Sequence, residues 1–216
     1  NDIPIITPDD WLRVSGNIYP DGCKNGYLNS IDIVNWDDKI NKVIFRGSAT
    51  GCGITKDDNI RIKAVYISLE HPDYIDAGLT SFNRKLKKKF NEKLDIINYN
   101  NKLKKSFVTQ EEQAKYKYRL CLDGHVAAFR LGAEFASKSV VLIPESNYYV
   151  WFSHLLKPYK HFVPVKQDLS NLIEKIDWCR NNDDICKKIA ENGFNFYTKY
   201  LGYDGVMDYM QQTLYN

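Results

Sequence analysis

One arginine, two hydroxyls and two glycines fall within six residues at Arg46-Gly47-Ser48-Ala49-Thr50-Gly51, directly after the apolar run Val43-Ile44-Phe45. Glycine lets backbone come close to a ligand, hydroxyls and amides bond anionic oxygens, and a guanidinium grips them two at a time. A second group follows the apolar run ending at Leu122: Asp123-Gly124-His125, then Val126-Ala127-Ala128-Phe129-Arg130. Residues 126–136 read as a helix, and the unpaired N–H groups of its first turn favour an anion. Arg130 stands among small and apolar neighbours, where it serves either a structural ion pair or a reach into a pocket. Both groups suit phosphate oxygens. The glycine loop matches neither GxGxxG nor GxxxxGK[ST], so alone it specifies no nucleotide class.

These groups work together only on a scaffold that brings residues 46–51 and 123–130 side by side. Lys42-Val43-Ile44-Phe45 reads as a strand, and residues 59–69 have helical periodicity with Ile60, Ala64 and Ile67 on one face. Thr109-Gln110-Glu111-Glu112 is a capping-box pattern opening a helix to Lys117, followed by a buried strand over residues 118–122. Residues 139–143 and 161–165 supply further strands. Residues 148–155, 169–180 and 183–191 read as helices, the last stopped by Asn192-Gly193, and aromatic-rich helices complete the chain over residues 194–214. Short apolar strands alternating with helices predict an α/β fold, a Rossmann-like parallel sheet flanked by helices on both faces. Ligands of such sheets settle beyond the carboxyl ends of the strands, at the point where strand order reverses. Residues 1–42 read as loops and short elements anchored by Trp11 and Trp36. Residues 82–106, rich in Lys and Asn, read as a mobile insertion or weakly packed helix.

Composition excludes several classes. At 216 residues, with 44% hydrophobic and 13% aromatic side chains, the chain is globular and long enough for one large domain, or one domain and part of a second. A net charge of +3 does not argue for nucleic acid. The basic run over residues 84–89, echoed at Lys102, Lys104 and Lys105, fits a solvated face, with a polyanion surface as the competing reading. No apolar run reaches the roughly 18–20 residues that cross a bilayer. The chain starts Asn1-Asp2-Ile3-Pro4 without Met and reads as an excised segment, so a missing leader says nothing of compartment. Five cysteines lie scattered without a CxxC pair, against a zinc site or a dense disulfide framework. One bridge stays open, and Cys121 reads as a small core residue.

In order along the chain stand Phe45-Arg46-Gly47-Ser48, Asn59-Ile60-Arg61, Pro72-Asp73-Tyr74-Ile75-Asp76-Ala77-Gly78-Leu79-Thr80 and Lys115-Tyr116-Lys117-Tyr118. Asp123-Gly124, Arg130, Leu156-Lys157-Pro158, His161-Phe162-Val163-Pro164 and Asp168-Leu169-Ser170 follow. This series resembles the CAP10-like glycosyltransferases (glycosyltransferase family 90), which include the protein O-glucosyltransferases acting on EGF repeats. The resemblance implies a GT-B architecture, two Rossmann-like halves with the active site between them, of which this chain is mainly the donor-binding half. Residues 1–42 would then be a remnant of, or connection to, the acceptor-side domain. Residues 43–200 would form the nucleotide-sugar-binding domain and residues 201–216 a C-terminal helix. The implied reaction is inverting, metal-independent transfer of glucose or xylose from a UDP-sugar to a hydroxyl of a protein or glycan. It implies no cofactor beyond the donor, no nucleic-acid partner, and a secretory-pathway setting. The sequence contains no Asp-x-Asp triplet, so arginines and helix N-termini would neutralise the leaving diphosphate.

Carried onto matching positions, the resemblance places Arg46, Gly47, Ser48 and Thr50 near donor and acceptor, and Asp76 at sugar or ribose hydroxyls. It lines the diphosphate with His125, Val126, Ala127, Ala128, Phe129 and Arg130, the last being the phosphate contact. Relatives often carry Ser at Ala127 or Ala128, and Tyr where this chain has Phe162. The family's base lies before the Phe-Arg-Gly-Ser loop; Asp2-Ile3-Pro4 is the match, so Asp2 is the catalytic candidate, with Asp9 and Asp10 as rivals. His161 reads as structural. Trp151, Tyr148 and Tyr149 serve either a uracil-stacking platform or core packing. Two competing classes remain, a non-catalytic nucleotide-sugar or glycan-binding module and a basic surface-binding protein.

Overall fold

The computed structural model describes residues 4–15, 34–82, 88–89, 92–93 and 101–215. Its chain first lays down β1 (Ile40–Gly47) and β2 (Ile75–Leu79), then a separate antiparallel ribbon of β3 (Lys88–Lys89) and β4 (Glu92–Lys93). β5 (Tyr116–Leu120), β6 (Val140–Pro144) and β7 (Val163–Val165) follow. The main sheet has the order β2-β1-β5-β6-β7 and every pairing in it is parallel. β1 is therefore the switch strand: the chain moves outward from it to β2, then returns to its other side for β5.

Register assigns each strand residue a face. Val43 pairs with Ile75 and with Tyr118, and Ile44 with Asp76 and Arg119. One face carries Val43, Phe45, Ala77, Tyr118, Leu120 and Leu142, clustered with Ile62 and Val65 of α2 (Ile60–Glu70). Leu172 and Ile176 of α5 (Leu172–Asn181) and Ile189 of α6 (Asp183–Phe196) complete that layer. The other face gathers Cys121 and Val141 with Phe135 of α4 (Leu131–Phe135), Trp151, Phe152, Phe196 and Val206 of α7 (Tyr203–Tyr215). Burial of each Val, Leu, Ile or Phe among them stabilises by about 1.5–3 kcal/mol, so these two layers hold the sheet. α1 (Pro8–Val14) joins the second layer, where Arg13 donates to Tyr197 Oη at 2.9 Å and to Leu201 O at 2.7 Å. Among the described residues no helix is long and apolar enough to cross a membrane.

The parallel sheet covered on both faces agrees with the sequence, while several boundaries differ for local reasons. The capping box at Thr109 is complete, but α3 (Gln110–Gln113) ends early because Tyr116 already enters β5. Residues 126–130 are turns, not helix: Gly124 N–H bonds Val126 O, and Asp123 Oδ1 captures the Ala128 amide at 2.9 Å. Residues 148–155 hold only a short 3-10 turn, Ser153–Leu155, since hydroxyls of Ser146 and Ser153 take the Tyr148 and Val150 amides. α6 runs straight through Asn192-Gly193. Gly193 is a packing glycine there, because a Cβ would lie 2.9 Å from Phe135 Cδ1 and 3.2 Å from His161 O. Trp36 is a buried anchor whose Nε1 donates to Asp183 Oδ2 at 2.9 Å, whereas Trp11 is 41% exposed. Cys121 is a core residue whose burial pushes its thiol pKa up to about 12. Most of the basic run over residues 84–89 lies outside the described residues.

Candidate active site at the switch point

The carboxyl ends of β1 and β5 open onto a cleft of about 430 Å³. Arg46, Gly47, Ser48 and Thr50 line one side of it, and His125, Val126, Ala127, Ala128, Phe129 and Arg130 the other. Residues about 80 positions apart in sequence thus face one space, where strand order reverses. A larger cleft of about 680 Å³ adjoins it over the ends of β5, β6 and β7. Gly124, Ala127 and Ala128 line both, so the loop after β5 is the ridge between them. Tyr148 and Tyr149 stand exposed at the larger cleft. Trp151 belongs to the core: its indole donates to Asp10 Oδ2 at 2.9 Å and packs on Phe152 and Tyr209.

Side-chain capture shapes both loops. Asn59 Oδ1 accepts the Arg61 and Ile62 amides as the cap of α2, while its Nδ2 donates to Thr50 O at 3.1 Å and Gly53 O at 3.3 Å. Ser81 Oγ donates to Ser48 Oγ at 2.7 Å. On the ridge, Asp123 Oδ2 accepts from Ser146 Oγ at 2.5 Å. Arg61 crosses between the loops: Nη1 donates to Ser48 O at 3.0 Å, Nη2 to Leu122 O at 2.7 Å and Nε to Asp123 O at 2.8 Å. No sequence signal assigned Arg61 this task. Its place in Asn59-Ile60-Arg61, one residue inside a capped helix, was the only pointer.

The charged residues divide by what they touch. Arg46 is 7% exposed and turns sideways along the sheet, with Nη2 on Asp76 Oδ2 and Nη1 on Asp76 O, both at 2.8 Å. Asp76 also accepts from Lys105 Nζ at 2.5 Å and Tyr116 Oη at 3.3 Å, and it does not line the cleft. Burial acts to raise the Asp76 pKa, but hydrogen bonds from Arg46 and Lys105 prevail and hold it below the usual carboxylate value. Arg130 precedes α4, donates Nη1 to Arg46 O at 2.6 Å and sets Nε 3.2 Å from Glu134 Oε1. Both alternatives for Arg130 therefore hold at once, ion pair and cleft lining.

Asp2 lies outside the described residues. Asp10 is buried and committed to Arg13, Thr7 and Trp151. Asp9 lines the cleft, and burial first, then neighbouring Asp10, raise its pKa against the opposing pull of Arg13. His161 is structural: its Nδ1 accepts the Lys157 amide at 3.0 Å and its ring packs on Phe196.

The solved structure of Anabaena Alr3699/HepE in complex with UDP-glucose superposes with a TM-score of 0.52 at 10% identity, over 98% of this chain and 54% of that one. At that identity the likeness is one of fold. The switched parallel sheet with its terminal cleft defines a Rossmann-like lobe of the GT-B glycosyltransferase type. A family model described as Glycosyl transferase family 90 matches residues 23–216, and the chain belongs to that family. It is 38% identical to uncharacterized protein 035R of Invertebrate iridescent virus 3, over 99% of this chain and 20% of that protein. It is 34% identical to protein O-glucosyltransferase 3 of Mus musculus, over 86% of this chain and 31% of the relative. The chain thus spans between a fifth and a third of the length of these two relatives.

Proposed function

We propose that this chain is the donor-binding lobe of an inverting, metal-independent glycosyltransferase that moves glucose or xylose from a UDP-sugar to a hydroxyl of a protein or glycan. The observation that carries the reading is convergence: two loops predicted from sequence to handle anions line one cleft at the switch point. Family membership and a relative named as a protein O-glucosyltransferase support the chemistry. The fold likeness to a glucose-nucleotide complex supports the donor class.

In this reading the nucleoside occupies the larger cleft beside Tyr148 and Tyr149, and the diphosphate crosses the ridge near Arg130. The sugar then faces residues 46–50. The acceptor oxygen attacks the anomeric carbon, the bond from that carbon to the β-phosphate oxygen breaks, and a carboxylate takes the acceptor proton. Asp2 holds that role on the family match, and Asp9 is the rival that lines the cleft. Arg130 stabilises the departing charge. Arg46 acts one step back, because Asp76 holds its guanidinium. The absence of any Asp-x-Asp triplet supports departure without a metal.

The test is a calorimetric panel of UDP, UDP-glucose, UDP-xylose and GDP-mannose against wild type and Arg130→Ala. UDP and one UDP-sugar should bind wild type, and Arg130→Ala should weaken both. Absence of binding by every uridine nucleotide sinks the donor assignment. Binding without transfer to any acceptor in a protein with an intact Asp2 favours the non-catalytic module instead.

A further inference from the structure

Arg61 is 9% exposed, yet among the described residues it forms no ion pair. Its three carbonyl partners give each guanidinium nitrogen one acceptor but form no ion pair, which is costly away from water, and the attraction of the Asp123 carboxylate is outweighed by burial and by Arg130. Asp123, whose main-chain oxygen it contacts, turns its carboxylate to Ala128 and Ser146. A second cation adds to the cost. The Arg61 and Arg130 guanidiniums stand over the same Phe45 ring, at 5.9 and 5.2 Å from its centroid. Burial, with repulsion from Arg130 next, lowers the Arg61 pKa to about 10. Both arginines line the switch-point cleft. A fold needing only a tie between two loops gains nothing from a second cation there that forms no ion pair among the described residues. An anion in the cleft relieves both arginines together.

We propose that Arg61 is a positioning residue for the anionic part of the ligand, flanking Phe45 with Arg130 and tying the Ser48 and Leu122–Asp123 carbonyls so that both loops present one electropositive wall. The inference rests on the nucleotide-sugar reading of the cleft and adds a residue which that reading does not use.

Titrations of UDP, uridine and inorganic pyrophosphate into wild type, Arg61→Gln and Arg61→Lys separate the possibilities. Misplaced and uncharged, the Arg61→Gln wall should weaken UDP and pyrophosphate on the order of ten- to a hundredfold, with uridine changed by less than about twofold. Arg61→Lys keeps the charge and loses the fork, so its UDP loss should be smaller and its dependence on salt retained. Equal loss of UDP and uridine affinity shows a merely structural residue and overturns the proposal. Unchanged UDP affinity in both variants overturns it as well. Should Arg61→Gln not fold, the UDP-to-uridine ratio in Arg61→Lys decides. Should wild type bind pyrophosphate but no uridine nucleotide, the donor reading fails, while an Arg61-dependent pyrophosphate affinity still supports Arg61 as an anion-positioning residue.

Discussion

Glu134→Gln offers the sharpest separation of stability from ligand geometry. Glu134 is 2% exposed and lies between two guanidiniums, Arg130 at 3.2 Å and the 1%-exposed Arg119. Arg119 is thinly served: Nη2 donates to Gln110 Oε1, and Nη1 has no hydrogen-bond partner among the described residues. Glu134 is thus the carboxylate that neutralises it. Glutamine keeps the shape and one acceptor, but it removes the charge and sets an NH2 donor against one of the two guanidiniums. Removing one partner of a buried pair costs about 3–5 kcal/mol, because the survivor is left desolvated and unpaired. At about 2–4 °C per kcal/mol for a chain of this size, the thermal midpoint should fall by roughly 6–20 °C. Arg119→Met/Glu134→Leu removes both charges and should recover most of that loss. It leaves Arg130 without its carboxylate, however, so UDP affinity should stay low. Differential scanning calorimetry and UDP titration on the three proteins check this. A fall of less than about 3 °C for Glu134→Gln, or a double variant no more stable than the single one, refutes the reasoning.

Two further outcomes follow from the loops and the sheet edge. Asp76 has a folded pKa below its unfolded one, so its stabilisation is present above about pH 4 and lost as pH falls through the carboxylate range. Urea midpoints should drop more steeply on acidification for wild type than for Asp76→Asn, and identical slopes would remove the Asp76 cluster from the explanation. At Gly124 a Cβ would stand 2.7 Å from Thr50 Oγ1 and 3.3 Å from Arg61 Nη2. Gly124→Ala should cost about 1–3 kcal/mol, as overpacking does, and adding Thr50→Ala should restore part of it in urea unfolding.

The strands were legible because parallel strands buried on both faces leave short, nearly continuous apolar runs, as in Val43-Ile44-Phe45 and Val140-Val141-Leu142. β2 carries the polar Asp76 and two small residues within Ile75-Asp76-Ala77-Gly78-Leu79, so its pattern gave no strand, only a family match. Helix boundaries failed where side chains outbid the helix for backbone groups, as Asp123 does at Ala128 and Ser153 at Val150. The cleft lining was legible where two contiguous loops supply it, and not at Arg61, Thr80 or Phe107, which line it from other elements. Its charge partners were not. Arg46–Asp76 and Arg119–Glu134 join residues with no helical or strand spacing between them: sheet register brings the first pair together, and the packing of α4 against the sheet the second.

That register gives the two faces of one sheet different tasks. The face against α2, α5 and α6 is apolar along Val43, Phe45, Tyr118, Leu120 and Leu142, and supplies hydrophobic stabilisation. The opposite face carries Arg46, Asp76 and Arg119 beneath the cleft, linked through Arg46 O to Arg130 and through Glu134 to Arg119. Such a chain of buried charges adds little net stability over apolar packing, since desolvation offsets attraction. What it does is restrict geometry, because each guanidinium has one arrangement that satisfies its partners. Arg130 is therefore held from behind by Glu134 and from the side by the β1 backbone. The phosphate role proposed for Arg130, on an otherwise turn-rich loop, needs that restraint, because no helix fixes residues 126–130.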